Sequence, residues 1–231
     1  MKTIGVIGGM SWESTALYYR MLNEEVKAKL GGLHSAKIAL ISVDFDEIEA
    51  LQAAGDWTKA GEILADCGVR LKAAGADFLL IATNTMHLVA DMVEAASGLP
   101  LLHIADATGE QIKSQNLRQV GLLGTAYTME QQFYRGRLED RFDISVITPD
   151  SEDRKEVHRI IYEELCLGTV LESSRRRYLE TIDKMRTAGA EAVILGCTEI
   201  GMLVTDRDTD LPILDTTVIH AETAVSWALA P

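Results

Sequence analysis

Short apolar runs alternate with longer stretches of helical periodicity along nearly all of this chain. The strand candidates are 3–7, 37–43, 77–82 and 99–103, then 119–123, 144–148, 191–196 and 211–214. Helical patterns cover roughly 12–29, 46–53, 57–74 and 86–96, then 128–140, 151–166, 169–188 and 217–229. A strand buried on both faces loses polar–apolar alternation and reads as a continuous apolar run. The pattern therefore predicts an α/β protein with parallel sheets covered by helices.

The pattern also occurs twice. Residues 73–85 read AAGADFLLIATNT and residues 187–199 read TAGAEAVILGCTE, which sets Gly75-Ala76-Asp77 against Gly189-Ala190-Glu191 at an offset of 114. Lys2–Thr15 (KTIGVIGGMSWEST) resembles Arg118–Gln131 (RQVGLLGTAYTMEQ) at offset 116, and Leu99–His103 (LPLLH) resembles Leu211–Asp215 (LPILD) at 112. Three matches in one order imply a tandem duplication. The expected fold is two pseudo-symmetric, doubly wound domains, each on a parallel four-stranded sheet. Their predicted extents are 1–103 plus 216–231, and 104–215. The helix after Leu99–His103 begins the second copy, and the equivalent last helix packs back on the first. Loops at the carboxyl ends of parallel strands are where such sheets hold ligands. The segments G-G-M-S, N-T-M-H, G-T-A-Y and C-T-E-I occupy those ends, so the expected active site is the inter-domain cleft.

With 231 residues, 47% hydrophobic, the chain is long enough for one large or two small domains. The formal charge of −13 argues against nucleic acid or an anionic membrane as partner, since both require clustered Lys and Arg. Three widely spaced cysteines, Cys67, Cys166 and Cys197, with no CxxC pair, suggest free thiols in a reducing compartment. The MKTIGVIGG start does not resemble a signal peptide, and no run approaches the ~18 apolar residues of a membrane span. The expected location is cytoplasmic.

Offset 114 places Thr83 opposite Cys197, each at the end of an apolar run. Cys197 follows AVILG and precedes a helix start at Thr198-Glu199-Ile200; proximity to helix-start amides favours a thiolate. A buried structural cysteine is the alternative reading, and Cys67 and Cys166, inside helical patterns, are assigned to the core. Thr83-Asn84-Thr85 supplies a hydroxyl and an amide that can donate to a carboxylate, with capping by Asn84 or Thr85 as the plainer role. A threonine hydroxyl needs help to move a proton, and the nearby candidates are His87 and Glu199. For His87, packing or capping in the first turn is the plainer reading. Gly5-Val6-Ile7-Gly8-Gly9-Met10 follows a strand but fits neither G-x-G-x-x-G nor a P-loop; glycines that let the backbone approach a small ligand explain it better. Asp44, Asp46, Glu47 and Glu49 lack a histidine at ligand spacing and read as a solvated helix start, so no metal site is expected.

The segments GGMSWEST, VDF, ATNTMH, LLGTAYTMEQQFYRGRL, IYEELCLG and GCTEI resemble, in order and across nearly the whole chain, the aspartate/glutamate racemase family. The resemblance implies a cofactor-independent enzyme, homodimeric, acting on a small and acidic amino acid. Two cysteines flank the α-carbon in that family, in C-N-T and G-C-T-E segments. They fall here on Thr83 and Cys197, so this chain carries threonine at the first catalytic position. The resemblance further implies substrate contacts at Met10, Ser11, Gln52, Asn84, Thr85, Thr125, Thr128 and Thr198. A basic residue that some relatives carry after VDF is not evident in VDFDEIEALQ. Other readings are a decarboxylase or dicarboxylate isomerase on the same scaffold, or a non-catalytic amino-acid-binding protein.

Overall fold

A computed structural model describes residues 1–231. In chain order the elements are β1 (Ile4–Gly8), α1 (Trp12–Leu30), β2 (Ile38–Ser42), α2 (Phe45–Ala54), α3 (Trp57–Ala73), β3 (Phe78–Ile81), α4 (Ala90–Ser97) and α5 (Ile104–Ser114). They continue as β4 (Gln119–Gly124), α6 (Ala126–Glu130), α7 (Arg135–Phe142), β5 (Ser145–Ile147), α8 (Ser151–Glu163), α9 (Glu172–Thr187), β6 (Ala192–Gly196), β7 (Ile213–Asp215) and α10 (Thr216–Leu229). Short 3-10 turns cover Thr85–Val89, Leu165–Leu167 and Thr198–Met202. The chain divides into two compact units, Met1–Ile104 with His220–Pro231, and Ala105–Ile219. No helix is long and apolar enough to cross a membrane.

In the first unit three parallel strands are ordered β2-β1-β3. Every residue of β1 and β3 is buried, which is why both read as unbroken apolar runs. Ile7, Leu64, Leu71, Leu79, Ile81, Met86 and Val93 form part of one core cluster, joining strands to α3 and α4. Burying each such side chain contributes ~1.5–3 kcal/mol.

The sheet has three strands where four are predicted. Residues 99–103 add one parallel bridge, Leu79 to Leu101. Pro100 has no N–H to donate; its carbonyl accepts from Leu79 N at 2.9 Å, and Leu102 N donates to Leu79 O at 2.9 Å. The chain then enters α5 at Ile104, directly after this run.

The second unit has four parallel strands ordered β5-β4-β6-β7. Here Pro212 accepts from Val193 N at 2.9 Å, and the run continues as β7, paired from Val193↔Ile213 to Leu195↔Asp215. The expected helix over 128–140 is broken. Gln131 is extended (φ −91°, ψ 155°) between α6 and α7. The break accompanies complete burial of Tyr134, whose hydroxyl donates to Thr108 Oγ1 at 3.2 Å.

The repeated Gly-Ala-Asp/Glu segment has one structural task in both units. Gly75 (φ 88°) and Gly189 (φ 99°) turn the chain out of α3 and α9 in a conformation that disfavours a Cβ. The acid two residues on then accepts from the start of the neighbouring strand. Asp77 Oδ2 takes Thr3 N at 2.6 Å, and Glu191 Oε2 takes Arg118 N at 2.7 Å and Gln119 N at 2.9 Å.

Candidate active site

The carboxyl ends of β1 and β3 carry the first unit's candidates. Gly9 (φ 98°) follows β1, and a Cβ there would run into the Val43 carbonyl oxygen and amide nitrogen. Thr15 Oγ1 accepts from Gly9 N at 2.8 Å and donates to Ser11 O at 2.9 Å, which closes the loop around buried Met10 and Ser11. Ser11 caps α1, its hydroxyl accepting from Ser14 N at 3.3 Å. Gln52, near the end of α2, is buried and donates from Nε2 to Met86 Sδ at 3.1 Å. The acids before it are helix-start groups: Asp44 caps α2, and Asp46 and Glu47 lie in its first turn.

Thr83 follows β3 and is half-buried, while Asn84 and Thr85 beside it are buried. Asn84 precedes the 3-10 turn but makes no side-chain cap to it. The buried His87 ring has Nδ1 2.8 Å from the Thr83 carbonyl oxygen. Its basicity is pushed well below the ordinary histidine range, first by burial and then by His103 and His220. No local signal in the sequence links these two histidines to His87.

The second unit's candidates lie at the ends of β4 and β6. Thr125 caps α6, its hydroxyl accepting from Thr128 N at 3.3 Å and lying 3.2 Å from Thr128 Oγ1. Both threonines are buried. His158, which the motifs do not single out, accepts from Ala126 N at 3.2 Å and thus satisfies another amide of that helix start. Cys197 caps the 3-10 turn without a side-chain cap bond. Its Sγ instead donates to Glu199 Oε2 at 3.0 Å, and Thr198 Oγ1 donates to the same oxygen at 2.6 Å. Burial raises the Cys197 pKa well above the usual thiol range, and the Glu199 charge adds to that. The group at this strand end is therefore a thiol held against a carboxylate. Cys67 is buried in α3 and Cys166 half-buried in a 3-10 turn.

No group of three or more His, Cys, Asp or Glu side chains is arranged to hold a metal ion. The two tips differ in chemistry: Thr-Asn-Thr on β3 against Cys-Thr-Glu on β6. The profile of the Asp/Glu/hydantoin racemase family matches residues 7–224. The chain belongs to this family. It is an isomerase of the racemase type. A Yersinia pestis crystal structure described as a candidate Asp/Glu racemase is 60% identical over 100% of both chains, with a TM-score of 0.95. An aspartate racemase homologue from Pyrococcus horikoshii OT3 is 35% identical over 100% of both chains, with a TM-score of 0.87. The broad specificity amino-acid racemase RacX of Bacillus subtilis is 21% identical over 182 residues, 76% of this racemase and 75% of RacX.

Proposed function

We propose that this racemase interconverts the L and D forms of an acidic amino acid, aspartate or glutamate, without a cofactor. In this reading Cys197 and Thr83 serve opposite faces of the α-carbon. The observation that carries it is the buried Cys197 thiol, hydrogen-bonded to Glu199 at the end of β6. The thiol must lose its proton before it can take one. Glu199 Oε2, already accepting from Sγ, receives that proton, leaving thiolate and carboxylic acid. The thiolate then takes the α-proton: the C–H bond breaks, an S–H bond forms, and the electron pair stays on carbon and the substrate carboxylate. The Thr83 hydroxyl gives its proton to the other face and is restored from water, and Glu199 returns its proton to the hydroxide so formed. Such two-sided exchange needs two positioned acid/base groups.

Donors around the carbanion and carboxylate supply the stabilisation that a cofactor otherwise provides. The residues assigned to substrate contact are Met10, Ser11, Gln52, Asn84, Thr85, Thr125, Thr128 and Thr198. Several are hydroxyls or amides at strand ends, as carboxylate binding requires. The acidic substrate is further supported by what the Pyrococcus relative is named for. The working form is read as a cytoplasmic homodimer, with a free amino acid as its small-molecule partner. Proton NMR of an amino-acid panel in deuterated water tests the function: the α-proton signal of aspartate or glutamate is expected to disappear. Retention of that signal for every amino acid, with ligand-induced thermal stabilisation, would instead mark a binding protein.

A further inference from the structure

The first unit buries three histidines, His87, His103 and His220, 2%, 4% and 0% exposed. They come from the turn after β3, the segment before α5, and α10. The His87 ring lies against His103 with centroids 4.7 Å apart and planes at 59°. It meets His220 edge-on at 5.6 Å. His220 Nε2 lies 2.9 Å from the Leu102 carbonyl oxygen, and its Nδ1 lies 2.9 Å from the Tyr18 hydroxyl of α1.

Backbone carbonyls fix the tautomers, because a carbonyl oxygen can only accept. His220 must carry its proton on Nε2, and its Nδ1 accepts from Tyr18. His87 must carry its proton on Nδ1, where Thr83 O accepts it at 2.8 Å. The His87 Nε2 atom is buried without a hydrogen-bond partner. An orphaned buried acceptor is costly, so the orientation is held by the opposite edge and by the two packed rings.

We infer that His87 is a positioning residue: its Nδ1–H, braced by the rings of His103 and His220, fixes the Thr83 carbonyl and thereby the strand end from which the Thr83 hydroxyl works. This rests on the assignment of Thr83 to one face of the α-carbon. The peptide plane after Thr83 rotates with that carbonyl, so releasing it frees the last torsion of the tip. A proton donor misplaced by an ångström loses about a hundredfold in rate. The bond from His87 reaches the backbone, so its role is to hold the hydroxyl's frame in place.

The test is the ratio of inversion to α-hydrogen exchange in deuterated water, for the enantiomer that faces Cys197. His87→Phe keeps a ring and removes the donor; it is expected to lower the ratio about tenfold or more while exchange persists. His87→Asn presents an amide N–H near the position of Nδ1, and is expected to stay within about threefold of wild type. Parallel loss of exchange and inversion in His87→Phe, with the ratio unchanged, would mean a merely structural role and overturn the inference. Thr83→Ala separates the two ideas. If it leaves the ratio unchanged, the Thr83 assignment fails; if it lowers the ratio and His87→Phe does not, only the inference fails. Should His87→Phe not fold, nitrogen NMR of the wild-type imidazoles decides. The Nδ1–H tautomer is expected for His87 at neutral pH, and the Nε2–H tautomer or an imidazolium would overturn the proposal.

Discussion

The Cys197 thiol donates to the Glu199 carboxylate across 3.0 Å, and both groups are buried. Glu199 therefore acts on the thiol in two opposed ways. Its charge raises the thiol pKa, after burial has already done so, yet it is also a proton acceptor in contact with sulfur. Glu199→Gln separates the effects. Losing the charge makes the thiol more acidic, so alkylation of Cys197 by iodoacetamide at neutral pH is expected to quicken, by about tenfold for each pKa unit. Losing the acceptor is expected to slow α-hydrogen exchange by at least about tenfold. A rise in both rates would leave Glu199 as a source of charge alone.

In the proposed mechanism Thr83, which the sequence repeat pairs with Cys197, serves the second face, and a hydroxyl is far harder to ionise than a thiol. The equilibrium constant of racemisation is one, so kcat/KM is equal in the two directions. A weak group on one face cannot make a one-way catalyst, but it can let exchange at the Cys197 face outrun inversion. Thr83→Cys is expected to raise racemisation of aspartate and glutamate roughly tenfold or more. The chiral assay gives the rate, and no gain would mean that the site is tuned around the hydroxyl.

The sheets are legible in the sequence wherever burial is complete on both faces. β1, β3, β4 and β6 read as apolar runs because nearly every residue in them is buried. The run at 99–103 is apolar too, but it makes a single bridge, Leu79 to Leu101, before the chain enters α5 at Ile104. Nothing in its own residues marks that difference from β7. Helical periodicity across 128–140 hides the break at Gln131, since burial of Tyr134 against Thr108 is a tertiary effect with no local marker. The Thr83–Cys197 correspondence is visible because duplication leaves a register. The imidazoles are not: Tyr18 and His220 are 202 positions apart, and no short-range pattern links them.

Gly9, just after β1, lies close against the backbone of Val43, just after β2. Its φ of 98° is unfavourable for any residue with a Cβ, and the added carbon would meet Val43 main-chain atoms, which cannot rotate away. Gly9→Ala is therefore expected to destabilise by roughly 2–4 kcal/mol, combining backbone strain with overpacking. Urea unfolding measures it. The Gly9 amide bonds Thr15 Oγ1, and Thr15 also holds Ser11 O, so KM for the amino acid is expected to rise as well. An unchanged KM would remove the β1 loop from the substrate site.

The buried imidazoles make stability depend on pH with a definite sign. His220 is pushed down to about 4 by burial, and His87 falls well below its ordinary value through burial and the neighbouring His103 and His220. In the unfolded chain both titrate near ~6.5. Between these values the unfolded state binds protons that the folded state refuses. The stabilisation is therefore complete above about 6.5 and is lost as pH falls toward the folded values. For His220 the loss is on the order of 3 kcal/mol over the whole window. Asp215, whose carboxyl burial pushes up, works in the opposite sense, so the imidazole effect is read at about pH 6.5 and the interval just below it. Thermal melts are expected to hold level near neutrality and to decline through that interval. His220→Gln is expected to start from a lower Tm, because the Tyr18 and Leu102 bonds are disturbed, yet to decline less steeply. An equally steep decline in the variant would place the acid sensitivity elsewhere.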